Sequence, residues 1–467
     1  MKSTFLKNQL LLYLSSFFVG TLIITSFTGI NPYRSIFGDP HRAMGVISFI
    51  CLLLFFLVVT NIYREKKDWF KFFKVLVVVS GISSIAAIMQ KLGIFHFYAT
   101  NPSRVSGTLS NPDFFAPYIV LSIFLTFLVL IKEKQRDLKI FWSSILLLNV
   151  VTLALSGTRG AWIGFIAGLV FAFLVSLFYL LKSNLERKKI YLFGILVLSI
   201  LILVILSNPS FFKLDQNYFF NRFSSIFELS LGSRGYVWEM AFDSWKDNPL
   251  LGRGPESFSY TYDESIRFEH LDYIPDTMYF DHPHNEVLGL MSSSGLLGLI
   301  GYLSMFLAVF YIFFDNFRKE KRFGKIVCLI IITFFISFFL QNLFAFNTIS
   351  TYIVFFLVLG FIDNAFNIEK KRREGSLSRW SLFLIVPLII LLLVSVYQIN
   401  IKPTFAAIEF PSSVKYELTD PQKAVFGYKK AVDMNTIYQK DFRLIMVERA
   451  VLLLEKGVAE EEEGRII

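Results

Sequence analysis

The apolar positions of this chain fall in continuous runs separated by short polar breaks. They show neither the i, i+3, i+4 spacing of an amphipathic surface helix nor the alternation of a half-buried strand. Ala43 to Tyr63, Ile190 to Leu206 and Ser381 to Tyr397 carry no charge, and with their flanks each approaches or reaches the roughly 20 residues that cross a bilayer as a helix. The pattern predicts eleven such segments, near 9–29, 43–63, 73–93, 114–131, 140–155, 160–181, 190–207, 285–314, 326–344, 350–367 and 380–399. The predicted fold is all-α, a polytopic transmembrane bundle. The first run follows MKSTFLKNQ, and TSFTGINPYR behind it offers a poor small-residue cleavage site, so it is read as a retained helix.

Charge orients these segments. Arg64 to Lys67, Lys132 to Arg136, Glu186 to Lys189, Arg318 to Arg322 and Lys370 to Arg373 are the basic loops. Under eleven spans all of them fall on one side, together with Lys2 and Lys7. The positive-inside rule makes that side cytoplasmic, and a missed or extra span between two of the loops would have split them. The chain divides into spans one to seven (1–207), a large extracytoplasmic loop with an interfacial helix (208–284), spans eight to eleven (285–399) and an extracytoplasmic helical tail (400–467).

Composition adds exclusions. The chain is 54% hydrophobic and 18% charged over 467 residues, which leaves no sizeable soluble domain. Its net charge of +10 resides in short loops between spans, so it reports orientation and implies no nucleic-acid partner. Cys51 and Cys328 both fall inside spans and form neither a disulfide framework nor a metal motif.

All five histidines, His41, His96, His270, His282 and His284, fall on the predicted outer side, as histidine's preference for water over lipid would also produce. Four outer segments carry candidate chemistry. In Ser156-Gly157-Thr158-Arg159-Gly160 two spans meet with almost no loop, placing Arg159 at the outer boundary near the next helix N-terminus. Snorkelling to headgroups is one reading; the other is a phosphate site made by Ser156, Thr158, backbone amides and Arg159. Ser233 is positioned to cap a short helix carrying Val237, Trp238, Ala241 and Trp245 on one face, suited to lie at headgroup level. Arg234 in its first turn opposes the helix dipole, which points either to an anion site or to an acidic partner in the same loop.

Arg104 to Ala116 supplies a further arginine and an Asn111-Pro112 turn, with Asn111 or Asp113 available to cap the fourth span. Asp281-His282-Pro283-His284-Asn285 precedes the eighth span, where Asp281 or Asn285 suits a cap. The histidines are not needed for capping, and a neutral imidazole beside an arginine-lined anion site is a natural general base. A two-histidine metal site lacks a third ligand at motif spacing. Gly295 and Gly298 farther along suit close packing behind the site.

Four motifs in order, SGTRGAW at 156–162, SRGYVWEMA at 233–241, NPLLGRGPESF at 248–258 and HPHNEVLGLMSSSGLLG at 282–298, resemble the O-antigen ligase and O-antigen polymerase superfamily of bacterial membrane glycosyltransferases. The resemblance implies a metal-independent, cofactor-free transferase of the bacterial inner membrane. Its donor would be a glycan on undecaprenyl diphosphate, and its acceptor a glycan, lipid or protein hydroxyl at the outer leaflet. It further implies that Arg159 and Arg234 bind the diphosphate and that His284 activates the acceptor. Arg104, Asn111, Ser156, Thr158, Trp238, Glu256, His282 and Asn285 are the expected substrate-binding surroundings. No Gly-rich phosphate loop and no outer Asp-x-Asp pair suggests a nucleotide-sugar donor. A flippase of lipid-linked glycans is the rival reading, though its usual paired repeats and mid-membrane polar residues do not stand out here.

In the tail, Asp420 to Gly457 predicts a helical pair of tetratricopeptide type. Ala424, Tyr428, Ala431 and Val432 form one face, and Ile445, Val447, Ala450, Leu453 and Leu454 the other.

Overall fold

The structure, a computed structural model, describes residues 9–39, 42–63, 65–94, 104–182, 233–266, 280–319, 324–366, 394, 397–417 and 419–455. The chain separates into two compact units, Met1–Glu369 and Lys370–Ile467. Every regular element among the described residues is helical.

In the first unit the helices are α1 (Leu10–Thr28), α2 (Pro32–Phe37), α3 (Val46–Ile62), α4 (Lys66–Lys91), α5 (Pro112–Lys132), α6 (Arg136–Ser156), α7 (Arg159–Lys182), α8 (Ser233–Asp247), α9 (Phe258–Ser265), α10 (Glu286–Lys319), α11 (Lys325–Asn342) and α12 (Ile349–Phe366). Seven of them, α1, α4, α5, α6, α7, α10 and α11, are long and apolar enough to cross a membrane, and α3 and α12 are shorter apolar helices. These nine coincide with nine of the expected spans. The expected span at 190–207 lies outside the described residues, as does nearly all of the one at 380–399, so the count of eleven is untested.

Side chains such as Leu147, Leu307 and Phe314 point outward, 61–67% exposed. In a multi-pass membrane protein that surface meets lipid, where such side chains lose nothing. At the centre stands α5, 78% of whose apolar window is enclosed. Around it α7 packs closely on α11, α10 on α1, and α12 on α3. Glycine makes the first of these contacts: a Cβ on Gly164 would lie 2.6 Å from the Ser337 carbonyl oxygen, as small-residue packing in lipid requires. Between α4 and α6, Ser84 Oγ reaches Asn149 Oδ1 (2.7 Å) and Thr152 Oγ1 (2.9 Å), while Asn149 Nδ2 donates to Ser80 Oγ (3.0 Å). Such interhelical bonds contribute on the order of 0.6 kcal/mol each.

The long helix α10 is broken at Gly295 (φ 59°, ψ −160°). Its freed backbone groups pair with the NPLLGRG segment. Arg253 N donates to Ser292 O (2.9 Å), Gly254 N to Ser293 O (2.7 Å), Leu296 N to Pro249 O (2.8 Å) and Leu297 N to Leu250 O (3.3 Å). Gly295 therefore receives a loop in a helix break, where the sequence suggested helix packing; a Cβ there would meet the Leu250 backbone, and one on Gly252 would meet Ser293 and Ser294.

The second unit contains a π-helical turn (Tyr397–Ile401) running into α13 (Lys402–Val414), then α14 (Pro421–Asp433) and α15 (Gln439–Glu455). The expected face of α14 is buried, Ala424, Tyr428, Ala431 and Val432 included. Among the described side chains of α15, Phe442, Met446 and Ala450 are buried in a stripe at i, i+4, i+8 that keeps the expected Ala450 and leaves Val447 half exposed; the expected Leu453 and Leu454 side chains lie outside the described ones. Glu417 accepts from the Tyr428 hydroxyl and from Arg449 Nε (2.7 Å) beneath α14.

Candidate active site

Five of the sequence-predicted residues meet in one cavity of about 110 Å³, lined by Arg104, Asp113, Thr158, Arg159, Gly160, Arg234, His284, Phe344, Ala345 and Phe346. A water needs about 10–15 Å³ of such space, so the cavity admits a polar group of several heavy atoms. Its residues stand at the N-terminal ends of four helices: Asp113 in the first turn of α5, Arg159 opening α7, Arg234 opening α8 and His284 just before α10. Helix N-termini carry partial positive charge and unbonded amides. Three guanidinium groups against one carboxylate add about two further positive charges, and the sum is an electropositive cavity of the kind that suits an anion. Arg234, misplaced by the dipole rule for a surface helix, fits such a cavity.

Arg104 is fixed. Its Nε donates to Ser156 O (2.7 Å), and Nη2 donates to Asp113 Oδ1 (2.6 Å) and Thr158 Oγ1 (2.6 Å). Thr158 Oγ1 in turn reaches Pro112 O (3.0 Å). Ser156 is buried and its hydroxyl donates to Leu153 O (2.6 Å), so it contributes its carbonyl to Arg104 and does not line the cavity. Arg234 Nη1 donates to Phe344 O (3.5 Å).

His284 sits at φ +53°, a left-handed conformation uncommon for a residue with a Cβ and typical of functional positions. Its Nδ1 lies 2.9 Å from the His282 carbonyl oxygen. A carbonyl only accepts, so Nδ1 carries the proton and Nε2 keeps its lone pair. The His284 backbone N–H donates to His282 Nδ1 (3.2 Å), so His282 braces the strained turn. Burial first, then the Arg234 charge, hold the His284 imidazole below the usual 6.5, opposed by its bond to His282 O and by Asp113 and Asp281. Burial pushes His282 well below it, with Arg42 and His284 adding to the effect. Both rings are therefore neutral near pH 7.

The remaining predicted residues surround the cavity without lining it. Asn111 Oδ1 accepts from Asp113 N (2.8 Å) and caps α5; Asn285 Oδ1 accepts from Val287 N (3.0 Å) and Leu288 N (3.1 Å) and caps α10. Trp238 Nε1 donates to Pro283 O (2.9 Å), holding the histidine turn. The buried face of α8 is Val237, Met240, Ala241 and Ser244, packed on α9 and α10. Trp238 and Trp245 flank that face, with Trp245 Nε1 donating to Pro249 O (3.1 Å). The helix is thus docked on protein along a stripe one position from the one expected.

Glu256 and His282 line a second cavity of about 60 Å³, together with Arg42, Asp281, Glu286, Phe346 and Asn347. Asp281 pairs with Arg42 and takes no part in capping. His41, His96 and His270 lie outside the described residues.

Sequence reasoning missed Asp113 as a cavity residue, along with Phe346 and Arg42. Asp113 adjoins the Asn-Pro turn already singled out, which was a usable signal. Phe346 is one of 54 phenylalanines, and nothing in its flanks distinguishes it.

Together these features define a multi-pass membrane protein with an arginine-lined cavity and a neutral histidine at one end of its bundle. Residues 144–303 match the family model described as O-antigen ligase, which supports the resemblance carried by the four motifs. That family is one of membrane glycosyltransferase-type enzymes acting on lipid-linked glycans. A Haemophilus influenzae protein, named only as an uncharacterized protein, is 25% identical over 341 residues, 71% of this chain and 79% of its own length.

Proposed function

We propose that this chain transfers a glycan from an undecaprenyl-diphosphate carrier to a hydroxyl acceptor at the outer leaflet of the bacterial inner membrane. It would act without metal and with inversion at the anomeric carbon. The observation that carries the reading is the cavity that brings together Arg104, Arg159, Arg234 and His284 from four separate segments, with Arg159, Arg234 and His284 at helix N-termini.

The chemistry follows from the donors. As the bond from C1 to the diphosphate oxygen breaks, negative charge grows on the leaving group. Arg159 and Arg234 are placed to stabilise it as it develops, which lowers the barrier more than uniform substrate binding would. Arg104, held by Asp113 and Thr158, adds fixed positive charge without needing to reorganise. The acceptor hydroxyl attacks C1 from the face opposite the diphosphate and its proton passes to His284 Nε2, the nitrogen left free by the Nδ1 bond to His282 O. One C–O bond forms as another breaks, and the carrier leaves as its diphosphate.

The test uses purified protein in nanodiscs with an undecaprenyl-diphosphate glycan, with and without EDTA. Release of carrier diphosphate with glycan transfer, insensitive to EDTA and lost in Arg159→Ala and His284→Ala, supports the reading. A requirement for a separate acceptor distinguishes ligase from polymerase. Movement of the lipid between leaflets with no bond made would replace the transferase with the flippase.

A further inference from the structure

Arg42 was not singled out by any motif, yet it occupies the rear of the site. Its side chain is 4% exposed. Nη2 lies 3.2 Å from Asp281 Oδ2, 3.5 Å from Asp281 O and 3.4 Å from Glu256 Oε2, so one nitrogen ties the first residue of the histidine turn to the NPLLGRGPESF segment. Nε and Nη1 have no hydrogen-bond partner among the described residues. The guanidinium carbon instead lies 4.9 Å from the centroid of the Phe346 ring. That ring has its centroid 5.0 Å from His282 and 5.0 Å from His284, edge to face with the latter at 82°, and it borders both cavities.

A buried cation with two donors unmatched among the described residues is a poor way to hold loops together, because apolar packing of the same volume is as stable or more so. Its surroundings are strained as well: Ala43 next to it, its partner Glu256 and His284 all have positive φ, at 51°, 56° and 53°. Strain gathered in this way marks a place where geometry is held for function.

We propose that Arg42 is a positioning residue for the base, acting through Asp281 on the backbone of the turn and through Phe346 on the imidazole. The proposal rests on the reading of His284 as the base. Arg42 fixes where Nε2 points and holds the Phe346 ring edge-to-face against the imidazole, so that water is kept from that side of it. The charged and titratable groups facing Arg42 are Glu256, Asp281, Asp39, His282 and Glu286. Those facing His284 are Arg234, Asp113, Asp281 and His282, with Arg104 and Arg159 lining the same cavity.

The test is Arg42→Gln and Phe346→Leu in the full-length protein in nanodiscs, with His284→Ala as control, following transfer from the carrier-linked glycan and the histidine ring signals by 15N NMR. With five histidines in the chain, the His284 signal is assigned by its loss in His284→Ala. Arg42→Gln is expected to lower kcat about tenfold or more, since small misplacement of a catalytic group costs this much, with KM for the donor within about twofold. The His284 titration and the acid limb of kcat/KM should both move up toward 6.5 as water reaches the ring. Phe346→Leu should do the same, the double variant should be no worse than the poorer single one, and Arg42→Lys should recover part of the rate.

Unchanged kcat and an unchanged His284 titration in a folded Arg42→Gln protein would overturn the proposal and leave Arg42 as a loop clasp. Should Arg42→Gln not fold, Phe346→Leu decides by the same titration. Full turnover in His284→Ala would instead remove the base itself, a distinct outcome.

Discussion

At the scale of single residues, the His282-Pro283-His284 turn divides two jobs between two like side chains. His282 accepts the backbone N–H of His284 with its ring and offers its carbonyl to the His284 ring, so it sets conformation and tautomer, and only His284 borders the anion cavity. A base works in its deprotonated form. With its pKa held below 6.5, first by burial and then by Arg234, His284 keeps that form as pH falls through 6.5. The acid limb of kcat/KM, which reports the free enzyme, is therefore expected below 6.5, and a limb above it would contradict the burial argument. His284→Ala should lower turnover by about 10²-fold or more. Arg234→Gln, which removes one donor from the developing diphosphate charge, should cost about 10²–10³ in kcat, or ~3–4 kcal/mol; a change confined to KM would mean that Arg234 binds the ground state only. Arg159, Arg234 and His284 were legible in the sequence because each violates a local expectation: a cation at a helix N-terminus, or an imidazole where a cap suffices. Asp113, Arg42 and Phe346 violate none, and their roles exist only once distant segments meet.

At the scale of elements, nine helices were legible because a bilayer forces backbone bonds inward and leaves long apolar runs as the trace. The face of α8 was displaced because tryptophan was weighed as an interfacial anchor, whereas both indole N–H groups bond to carbonyls of neighbouring loops. The break in α10 was not legible: its glycines read as helix packing, and the break needs the 249–254 segment to receive its hydrogen bonds. The interlock makes a sharp prediction. Gly295→Ala adds a Cβ that would lie 2.4 Å from the Leu250 carbonyl oxygen, at φ +59°. Overpacking and a left-handed residue together are expected to destabilise by about 2–4 kcal/mol. Gly324→Ala, where nothing lies within 4 Å, is the matched control. Thermal unfolding in detergent reads both, and equal midpoints would show that the loop does not clasp the helix as described.

At the scale of the whole molecule, the distribution of charge predicts a membrane orientation, and that orientation decides which pool of donor the site can reach. Lys67 at the start of α4 and Lys246 at the end of α8 are 68% and 57% exposed, and the eleven-span reading puts them on opposite sides. Lys430 in α14, 51% exposed, should share the side of Lys246. The two native cysteines are free, so Cys51→Ser with Cys328→Ser gives a background in which Lys67→Cys, Lys246→Cys or Lys430→Cys can be labelled singly. A membrane-impermeant maleimide added to intact cells is expected to reach 246 and 430 at once and 67 only after permeabilisation. Labelling of 246 without 430 would mean an odd number of spans between them, removing one segment from the 380–399 region or elsewhere after α8. Labelling of 67 without 246 would invert the molecule and put the arginine cavity on the cytoplasmic side. The donor reading would then fail at its root, because a transferase of exported glycans would be facing away from its substrate.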